Sequence, residues 1–500
     1  MACLLIQFSP YLVAGEKENS IINKAVKAYG GEKLRQLQSL KYTDNLEHFF
    51  QMQSGHSAQG AMTMHFSNYQ IEINLDLVNK RKEFKQATTR LIGNHGRENL
   101  TTTHRVFVED KGFIVDHCLK QYQFVPWVNF NNADAGYSQM LDPLIIKQLD
   151  QDRDKSRLND KAYIQGQAHD VLTINEGKKQ EYTLYLNQGN GHLSRMIKMR
   201  GEQLRSYDFL QHEQAQGITW AKQMFVSTAE QPIYHTDSRQ LSFNSLKKSD
   251  FNTPTGYQLV KQAQAVDVSK LTIRQLAKDV YFVGKGWGYT LFIDAGEHYI
   301  SVGAWGEMDN SNAWQQGLDL LRQTTGNNKP VAQHVVTHHH TDHMSALKDI
   351  VKLGANLVIH PSSIAGVKKH LKQPLVNDRL LPIEDTGYLA NGKVMIFDVP
   401  ISHASHNLVV YLPEQKLLFT EDMFGSSYQT ELESPNNWPS KDSYQRLEVL
   451  TDKVKQLNLE VEQYVSSHHG RVLTQADIDK ALKLSCPAND ELTKRLYGYH

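Results

Sequence analysis

The sequence predicts an α+β protein of two domains, in which a β-rich N-terminal half precedes a layered α/β C-terminal half. The chain has 500 residues, more than one hydrophobic core normally organises. Near residue 270 the pattern changes from short strands with polar turns to strands that alternate with helices. We therefore predict a β-rich domain over residues 16–250, a polar linker over 251–271 and a second domain over 272–500.

Composition is that of a globular protein, with 40% hydrophobic and 22% charged residues. Lys+Arg and Asp+Glu each number 54, so no net charge draws the chain to nucleic acid or to an anionic membrane. Cys3, Cys118 and Cys486 are far apart and show no CxxC spacing, which predicts isolated thiols. We expect a small-molecule substrate, no nucleic acid and no transmembrane segment.

The start of the chain has the pattern of a secretory signal. Residues 4–14 are mostly apolar, residues 13–15 form a small-residue cleavage site, and a charged segment follows. The basic segment that normally opens a signal peptide is missing, so we predict an incomplete signal peptide over residues 1–15. The expected location is the periplasm or outside the cell. A buried first strand in a cytoplasmic protein is the alternative.

The N-terminal half begins with a helix, because apolar residues between 21 and 29 recur at helical spacing. Alternation over residues 69–77 then predicts a half-buried strand. Residues 182–186 and 193–199 flank a Gly-rich turn and predict a hairpin. No catalytic constellation is found here, and three scattered histidines are predicted to be surface or packing residues: His104, His117 and His169.

This half resembles the curved antiparallel sheets of periplasmic lipoprotein-carrier proteins. The resemblance rests on the helix end Ala28-Tyr29-Gly30-Gly31 and on the hairpin segment Leu184-Tyr185-Leu186-Asn187. It implies a curved antiparallel sheet that can hold a lipid or another apolar ligand.

The C-terminal half alternates short apolar strands with amphipathic helices, as in a layered α/β domain. Strands are predicted over residues 280–283, 290–293, 299–302, 331–337, 357–359, 394–399, 408–412, 417–420 and 464–466. Helices are predicted over residues 344–353, 362–371, 443–457 and 475–484.

The segment after the predicted strand 331–337 contains the strongest chemical signal, four histidines and an aspartate within six residues. In extended backbone, side chains at i and i+2 point the same way, so His338, His340 and Asp342 converge. Chain reversal into the following helix brings His343 to the same side. Imidazole and carboxylate are ligands that suit zinc and similar divalent ions.

Three later residues complete two metal sites. His403, Asp422 and His469 each lie next to the end of a predicted strand, where ligand-bearing loops usually lie in α/β folds. His468 is adjacent to His469 and competes with it, but the pairing of His469 with Gly470 favours His469.

Together these segments resemble the metallo-β-lactamase superfamily. The matching motifs are the HxHxDH run at 338–343, the HxxxN pattern at 403–407, the aspartate after an LLF strand and the final HG pair. The resemblance covers roughly residues 273–484 and implies an αββα sandwich with two metal ions at the sheet edges. It implies that His338, His340 and His403 bind one ion, that Asp342, His343 and His469 bind the other, and that Asp422 bridges both.

The resemblance implies metal-dependent hydrolysis. Two divalent ions, zinc first with iron or manganese as alternatives, share a hydroxide that attacks an ester, lactone, thioester or phosphodiester. Asp342 would orient the hydroxide and move a proton.

With no cysteine ligand, the ligand set is more similar to those of glyoxalase II, lactonases and phosphodiesterases than to those of true β-lactamases. The flavodiiron branch usually has an acidic residue at the place of His340, which disfavours oxygen reduction.

The alternative function is a non-catalytic protein that binds metal, lipid or a partner on the same fold. Two positions depart from the family: Glu421 stands where glycine is usual, and Gly303 where an aspartate commonly orients a ligand histidine.

Trp287 and Tyr289, in a glycine-rich loop, are predicted to contact substrate, with simple packing as the alternative. The remaining histidines are predicted to be packing or surface residues: His334, His339, His360, His370 and His406.

Overall fold

The computed structural model describes residues 15–53, 62–92, 100–236, 238–261, 269–286, 288–304, 313–372, 379–401, 403–424, 440–468, 470–484 and 486–498. The predicted signal segment therefore lies almost entirely outside the described residues. None of the helices in these ranges is long and apolar enough to cross a membrane.

Within the described residues, the N-terminal half forms a single 16-stranded sheet with three α-helices. The strands are β1 Ser39–Gln53, β2 Met62–Asp76, β3 Arg81–Ile92, β4 Leu100–Val108, β5 Lys111–Asp116, β6 Gln121–Phe124, β7 Ser156–Leu158, β8 Ala162–Ile164, β9 Gln167–Ile174, β10 Tyr182–Asn187, β11 Leu193–Arg200, β12 Gln203–Ala215, β13 Ile218–Thr228, β14 Gln231–Thr236, β15 Gln240–Phe243 and β16 Gln258–Val260. The helices are α1 Glu16–Ala28, α2 Glu32–Arg35 and α3 Asp142–Gln151.

One hydrophobic core joins distant strands of this sheet. The order of 14 strands is β16-β6-β5-β4-β3-β2-β1-β14-β13-β12-β11-β10-β9-β7; β15 also pairs with β1 and β8 with β9, and every pair except β16 with β6 is antiparallel. Phe84 of β3 and Leu172 of β9 share a core with Ile22 of α1 and Ile146 of α3. A flat sheet would hold β3 and β9 roughly 40 Å apart at a spacing of ~4.8 Å per strand. The sheet therefore curves around α1 and α3, and the predicted curved antiparallel sheet is confirmed.

The predicted linker, residues 251–271, is partly ordered as a strand. Gln258–Val260 lies parallel to β6 at one end of the N-terminal sheet. The division of the chain into 16–250, 251–271 and 272–500 stays a prediction, but part of its linker is bonded to the first domain.

The C-terminal half has two facing sheets. The first, in the order β17 to β23, contains β17 Thr272–Ala277, β18 Val280–Lys285, β19 Gly288–Asp294, β20 Tyr299–Val302, β21 Val331–Val336, β22 Asn356–Ile359 and β23 Leu380–Pro382. The second, in the order β24 to β29, contains β24 Thr386–Leu389, β25 Val394–Asp398, β26 Leu408–Leu412, β27 Leu417–Phe419, β28 Gln463–Val465 and β29 Val472–Thr474. The helices are α4 Ala313–Thr325, α5 Leu347–Lys352, α6 Ile364–Leu371, α7 Ser440–Gln456, α8 Gln475–Leu482 and α9 Asn489–Tyr497.

Three separate cores show that these elements form four layers. Leu291 and Val335 of the first sheet pack on Ile396 and Phe419 of the second, so one core lies between the sheets. A second core joins the outer face of the first sheet to α4, α5 and α6. A third joins the outer face of the second sheet to α7 and α8. This is the predicted αββα sandwich.

The last helix packs on the N-terminal sheet instead of on the sandwich. Leu492 and Leu496 of α9 share a small core with Ala87 and Leu100 of β3 and β4. Beside α9, Cys486 forms a disulfide with Cys118, 368 residues away in sequence. The prediction of isolated thiols is therefore wrong for these two cysteines, because the tertiary return of α9 that pairs them leaves no local spacing signal. We call residues 486–497 the strap.

Candidate metal centre

The predicted ligands gather at the carboxyl ends of strands. β21 lies between two parallel neighbours, β20 and β22, and β27 runs parallel to β28, so their carboxyl ends share edges of the two sheets. The ligand loops follow β21, β25, β27 and β28 directly. Loops at this edge are where open α/β sheets bind ligands, because the chain must leave the sheet there.

The first group comprises three imidazoles and a carboxylate. One nitrogen or oxygen from each of His338, His340, His403 and Asp422 lies within 4.8 Å of the others. His403 Nε2 is 2.8 Å from Asp422 Oδ2, and His338 Nε2 is 3.7 Å from the same oxygen. His338 Nε2 is buried and makes no hydrogen bond with the described residues. Leaving such a nitrogen unpaired costs about 1–3 kcal/mol, and a bound metal ion would offset this cost. Three imidazoles and a carboxylate are also ligands that suit a divalent ion, so this donor set fits one.

The second group shares the carboxylate of Asp422. His343 Nε2 is 2.9 Å from Asp422 Oδ2, and His468 Nε2 is 2.7 Å from Asp422 Oδ1. Asp342 Oδ2 is 3.5 Å from His343 Nε2, and these two residues form a three-ligand group with His468. Asp422 thus presents one oxygen to both groups and the other to His468, the geometry of a bridging ligand.

The second-group histidine from the end of β28 is His468. His469, the predicted ligand, lies outside the described residues, so its assignment stays a prediction. His468 forms an antiparallel bridge with Gly288 while its ring faces Asp422. The two histidines are adjacent in sequence, and the direction of the backbone after β28 decides which of them faces Asp422.

The asparagine of the HxxxN motif holds the His403 loop. Asn407 Nδ2 donates to the carbonyls of Val399 and Ala404 at 3.1 and 2.8 Å, which closes the loop around His403. The next backbone N–H, of Leu408, donates to Thr337 O at 2.8 Å. This bond ties the His403 loop to the strand end that carries His338. The motif therefore fixes the distance between two loops of the first group.

Glu421 supplies the buried carboxylate that orients a ligand histidine. Its side chain is buried, with Oε2 3.2 Å from His343 Nδ1, and it accepts a hydrogen bond from Ser467 Oγ. Its backbone has φ +49°, a left-handed conformation that explains why glycine is usual here. A Cβ atom added to Gly303 would lie 3.1 Å from Glu421 Oε1. The two departures from the family are therefore coupled, since the space left by Gly303 is occupied by the Glu421 carboxylate.

The first-group histidines are neutral at ordinary pH. Burial lowers the pKa of His338 and of His403 well below the usual value, and neighbouring histidines lower both further. Burial also lowers the pKa of His340, to about 4. A metal ion binds neutral imidazole, so these three ligands need lose no proton.

The second-group histidines behave in the opposite way. Burial would lower the pKa of His343 and of His468, but the carboxylates of Asp422 and Asp342 outweigh burial and raise both. In turn, His343 and His468 hold the pKa of Asp422 well below its usual value in spite of burial. Without metal, this group is an ion cluster whose imidazoles hold their protons more tightly than ordinary histidines do.

These pKa shifts predict that an ion at the first group and an ion at the second group would bind with different pH dependence. The first-group histidines stay unprotonated in mild acid, so the first ion should remain bound there. The second ion must displace protons, so its apparent affinity should fall as pH falls. Elemental analysis of zinc-reconstituted protein is expected to give about two ions per chain near pH 8 and about one near pH 5.5. Equal stoichiometry at both pH values would contradict this order of affinities.

Tyr289 is a packing residue. It is 4% exposed, its ring lies 5.0 Å from that of Phe282, and a Cβ on Gly470 would clash with it at 2.4 Å. Its backbone N–H donates to Ser467 O at 2.9 Å. Tyr289 thus supports the segment that carries His468, and no exposed face remains for substrate. Trp287, the other predicted substrate contact, lies outside the described residues.

A second histidine cluster lies beside the first group. The rings of His360 and His406 stack with centroids 3.6 Å apart, and His406 Nδ1 is 2.7 Å from Asp398 Oδ2. Asp398 Oδ1 accepts from the backbone N–H of Asn407 at 2.8 Å. Asp398 therefore contacts both His406 and Asn407 of the His403 loop. One donor atom from each of His360, Asp398 and His406 lies within 4.8 Å of the others, so the assignment of the two histidines as packing residues stays a prediction.

A comparison with models of known protein families finds a match in the C-terminal half. The sequence profile of the metallo-beta-lactamase superfamily matches residues 274–468. Over 97 residues the chain is 30% identical to the anaerobic nitric oxide reductase flavorubredoxin of Pectobacterium atrosepticum and 29% identical to a flavorubredoxin homolog of Escherichia coli O157:H7. Each match covers 19% of this chain, and the chain spans only 19% and 24% of the length of those two proteins.

Solved structures of metallo-beta-lactamases align with less than half of the chain. DIM-1 metallo-beta-lactamase covers 43% of this chain and 97% of its own length, with 16% identity and a TM-score of 0.35. The metallo-beta-lactamase from Pontibacter korlensis covers 43% of this chain and 98% of its own length, with 18% identity and a TM-score of 0.34.

Proposed function

Residues 274–468 belong to the metallo-β-lactamase superfamily, and from this premise we propose that the chain is a binuclear metal-dependent hydrolase. The observation that carries the proposal is the pair of ligand groups that share Asp422. All their donors are nitrogen or oxygen, a set that suits zinc first and iron or manganese as alternatives. When bound, two such ions supply an activated water near neutral pH and polarise the scissile bond.

The residues of the chain would then divide the remaining work. His338, His340 and His403 are buried and would hold one ion rigidly. The side chain of Asp342 is 26% exposed, so it is both a ligand of the second group and open to solvent. Burial would raise its pKa, but nearby His343 lowers it, so its carboxylate is ionised near neutral pH. An ionised, partly exposed carboxylate beside the metals would orient the attacking water and accept its proton.

The proposed substrates are esters, lactones, thioesters and phosphodiesters. The described ligand set contains no cysteine, and by resemblance this separates the chain from true β-lactamases. The flavorubredoxins matched above are named as nitric oxide reductases, but His340 stands where the flavodiiron branch usually has an acidic residue, which favours hydrolysis over reduction.

A substrate panel tests this proposal. Zinc-replete full-length protein would be assayed with a lactone, a thioester, a phosphodiester, a generic ester and a β-lactam. Parallel samples reconstituted with iron or manganese would address metal identity. We expect turnover of at least one oxygen or sulfur ester, lost on chelation and restored by metal. Protein that binds two ions but turns over none of these substrates would favour the non-catalytic alternative.

That alternative is a protein that binds a lipid or another partner on a metal-binding platform. The N-terminal domain has a cavity of about 1210 Å³ that supports it. Its lining mixes apolar side chains with charged side chains of both signs, among them Leu75, Leu77, Met196, Lys147, Asp152 and Glu181. An amphiphilic ligand would match this lining. Fatty-acid binding that leaves hydrolysis unchanged would assign the cavity a separate function.

We also propose that the chain functions outside the cytoplasm, in the periplasm or exported. The Cys118–Cys486 disulfide supports this, since such bonds persist in oxidising compartments. Mass spectrometry of non-reduced peptides from cell fractions tests it: we expect the linked peptide in the periplasmic or secreted fraction. Reduced protein confined to the cytoplasm would overturn this location.

A further inference from the structure

We propose that Gln53 of the N-terminal domain is a positioning residue of the metal centre and that the β-rich half thereby completes the active site. Gln53 Nε2 donates to Asp342 Oδ1 at 2.9 Å. Its Oε1 accepts from the backbone N–H of Thr341 and, at 3.2 Å, from the Thr341 hydroxyl. One amide thus holds both the backbone and the carboxylate of the ligand loop. The proposal rests on the hydrolase function proposed above and deepens it.

Gln53 reaches this loop because β1 extends beyond its own domain. Leu46 is the last residue of β1 in the N-terminal core, and a strand rises about 3.3 Å per residue, so Gln53 lies roughly 23 Å further on. We call residues 47–53 of β1 and 62–69 of β2 the arm. Its two strands stay paired to the end, where Gln53 faces Met62. His65 and Ser67 on the arm are buried, so it is packed against protein.

The strap also connects the two halves. Tyr497 Oη donates to Gln70 O at 2.6 Å, on the strand that forms the arm. Arg495 Nη1 donates to His117 O at 3.0 Å, beside the Cys118–Cys486 disulfide. The chain therefore returns from the metal domain and is fixed covalently to the N-terminal sheet. The contact of Gln53 with the ligand loop is thus supported by a second, independent connection.

The geometry gives the amide a specific task. Asp342 has two carboxylate oxygens: Oδ2 is 3.5 Å from His343 Nε2 in the second group, and Oδ1 receives the Gln53 amide. A donor on Oδ1 fixes the rotation of the carboxylate and leaves Oδ2 for the metal. Hydrogen bonds of this kind to ligands typically contribute 10–100-fold to metal affinity or activity. Because the donor comes from the other domain, metal binding and domain arrangement are coupled.

Two variants of full-length protein separate orientation of Asp342 from simple docking of the arm. Gln53→Ala removes every hydrogen bond to the loop. Gln53→Glu keeps the acceptor for Thr341 but replaces the donor with a second carboxylate beside Asp342. Gln51→Ala, an exposed position two residues earlier on the same strand, is the matched control. Stepwise zinc affinities would be measured by competition with a chromophoric chelator, and the second site would be followed by cobalt absorption spectra.

We expect second-site affinity to fall about tenfold or more in Gln53→Ala, and at least as far in Gln53→Glu, with first-site affinity within about twofold of wild type. Cobalt bands of the second site should shift, and on any substrate found kcat should fall while KM stays nearly constant. Wild-type metal affinity in Gln53→Glu would overturn the proposal, because docking to Thr341 would then suffice. Equal losses in Gln51→Ala would also overturn it. The readout is metal binding, so absence of hydrolysis would refute only the proposed function.

Discussion

Replacing Asp342 with asparagine is expected to lower kcat about 100-fold or more while the protein stays folded. The substitution keeps the shape of the side chain but removes its charge and its capacity to accept a proton. Asp342 lies in a 3-10 turn, Asp342–Met344, and its side chain is partly exposed, so no core is disturbed. General acid–base groups typically contribute about 10²–10⁴-fold, and loss of a second-group ligand adds to this.

The matched control is Asp349→Asn, the same chemical change on α5. This variant should retain kcat and metal content within about twofold, since surface substitutions away from such sites have small effects. Both variants would be compared by circular dichroism, zinc content and steady-state kinetics on a substrate from the panel. Near-native turnover in Asp342→Asn would remove this residue from the mechanism and leave it, at most, a structural ligand.

Much of the metal centre could be predicted because its signals are local. In the HxHxDH run, the structure places His338 and His340 in one ligand group, as the alternation predicts, whereas Asp342 lies in a 3-10 turn and joins the adjoining group. His403 and Asp422 follow strands whose apolar runs are evident in the sequence, and they join the same centre. Short-range patterns thus indicate the strands and the loops that carry the ligands.

Other features depend on tertiary geometry that no local pattern reports. His468 and His469 are adjacent, and a one-residue difference in an extended segment turns a side chain to the opposite face. The Cys118–Cys486 pair spans 368 residues and forms because the strap returns to the first domain. Gln53 lies in a β-rich half with no catalytic motif of its own, so its contact with Asp342 has no signal at all in the sequence.

The sequence indicates only part of the coupling between Glu421 and Gly303. Each position departs from the family pattern in the sequence, but their compensation requires the observed contact. Glu421 Oε2 lies 3.2 Å from His343 Nδ1, and its other oxygen occupies the space where a side chain on Gly303 would begin. Glu421 thus supplies, from the end of β27, a buried carboxylate beside His343, whereas Gly303 supplies none. Exchanging the two residues should therefore change metal affinity and melting temperature in a coupled way.

Glu421→Gly is expected to weaken the second metal site about 10–100-fold, because His343 loses the carboxylate that is ion-paired with its Nδ1. The backbone itself should tolerate glycine, since φ is +49° there. Gly303→Asp alone should lower the melting temperature, because its side chain would begin 3.1 Å from the Glu421 carboxylate and place two like charges together.

The double variant Gly303→Asp/Glu421→Gly should recover much of the lost affinity. Aspartate is among the residues that tolerate the left-handed conformation of Gly303, at φ +84°, and removal of the Glu421 side chain frees the space. Recovery should be incomplete, because a Cβ at position 303 would still lie 3.0 Å from Tyr289 O. Zinc affinity and melting temperature of the wild type, the two single variants and the double variant form a double-mutant cycle. The double variant should bind zinc more tightly, and melt at a higher temperature, than the sum of the two single effects predicts. If the effects simply add, the two positions act independently, and Glu421 does not replace the missing carboxylate.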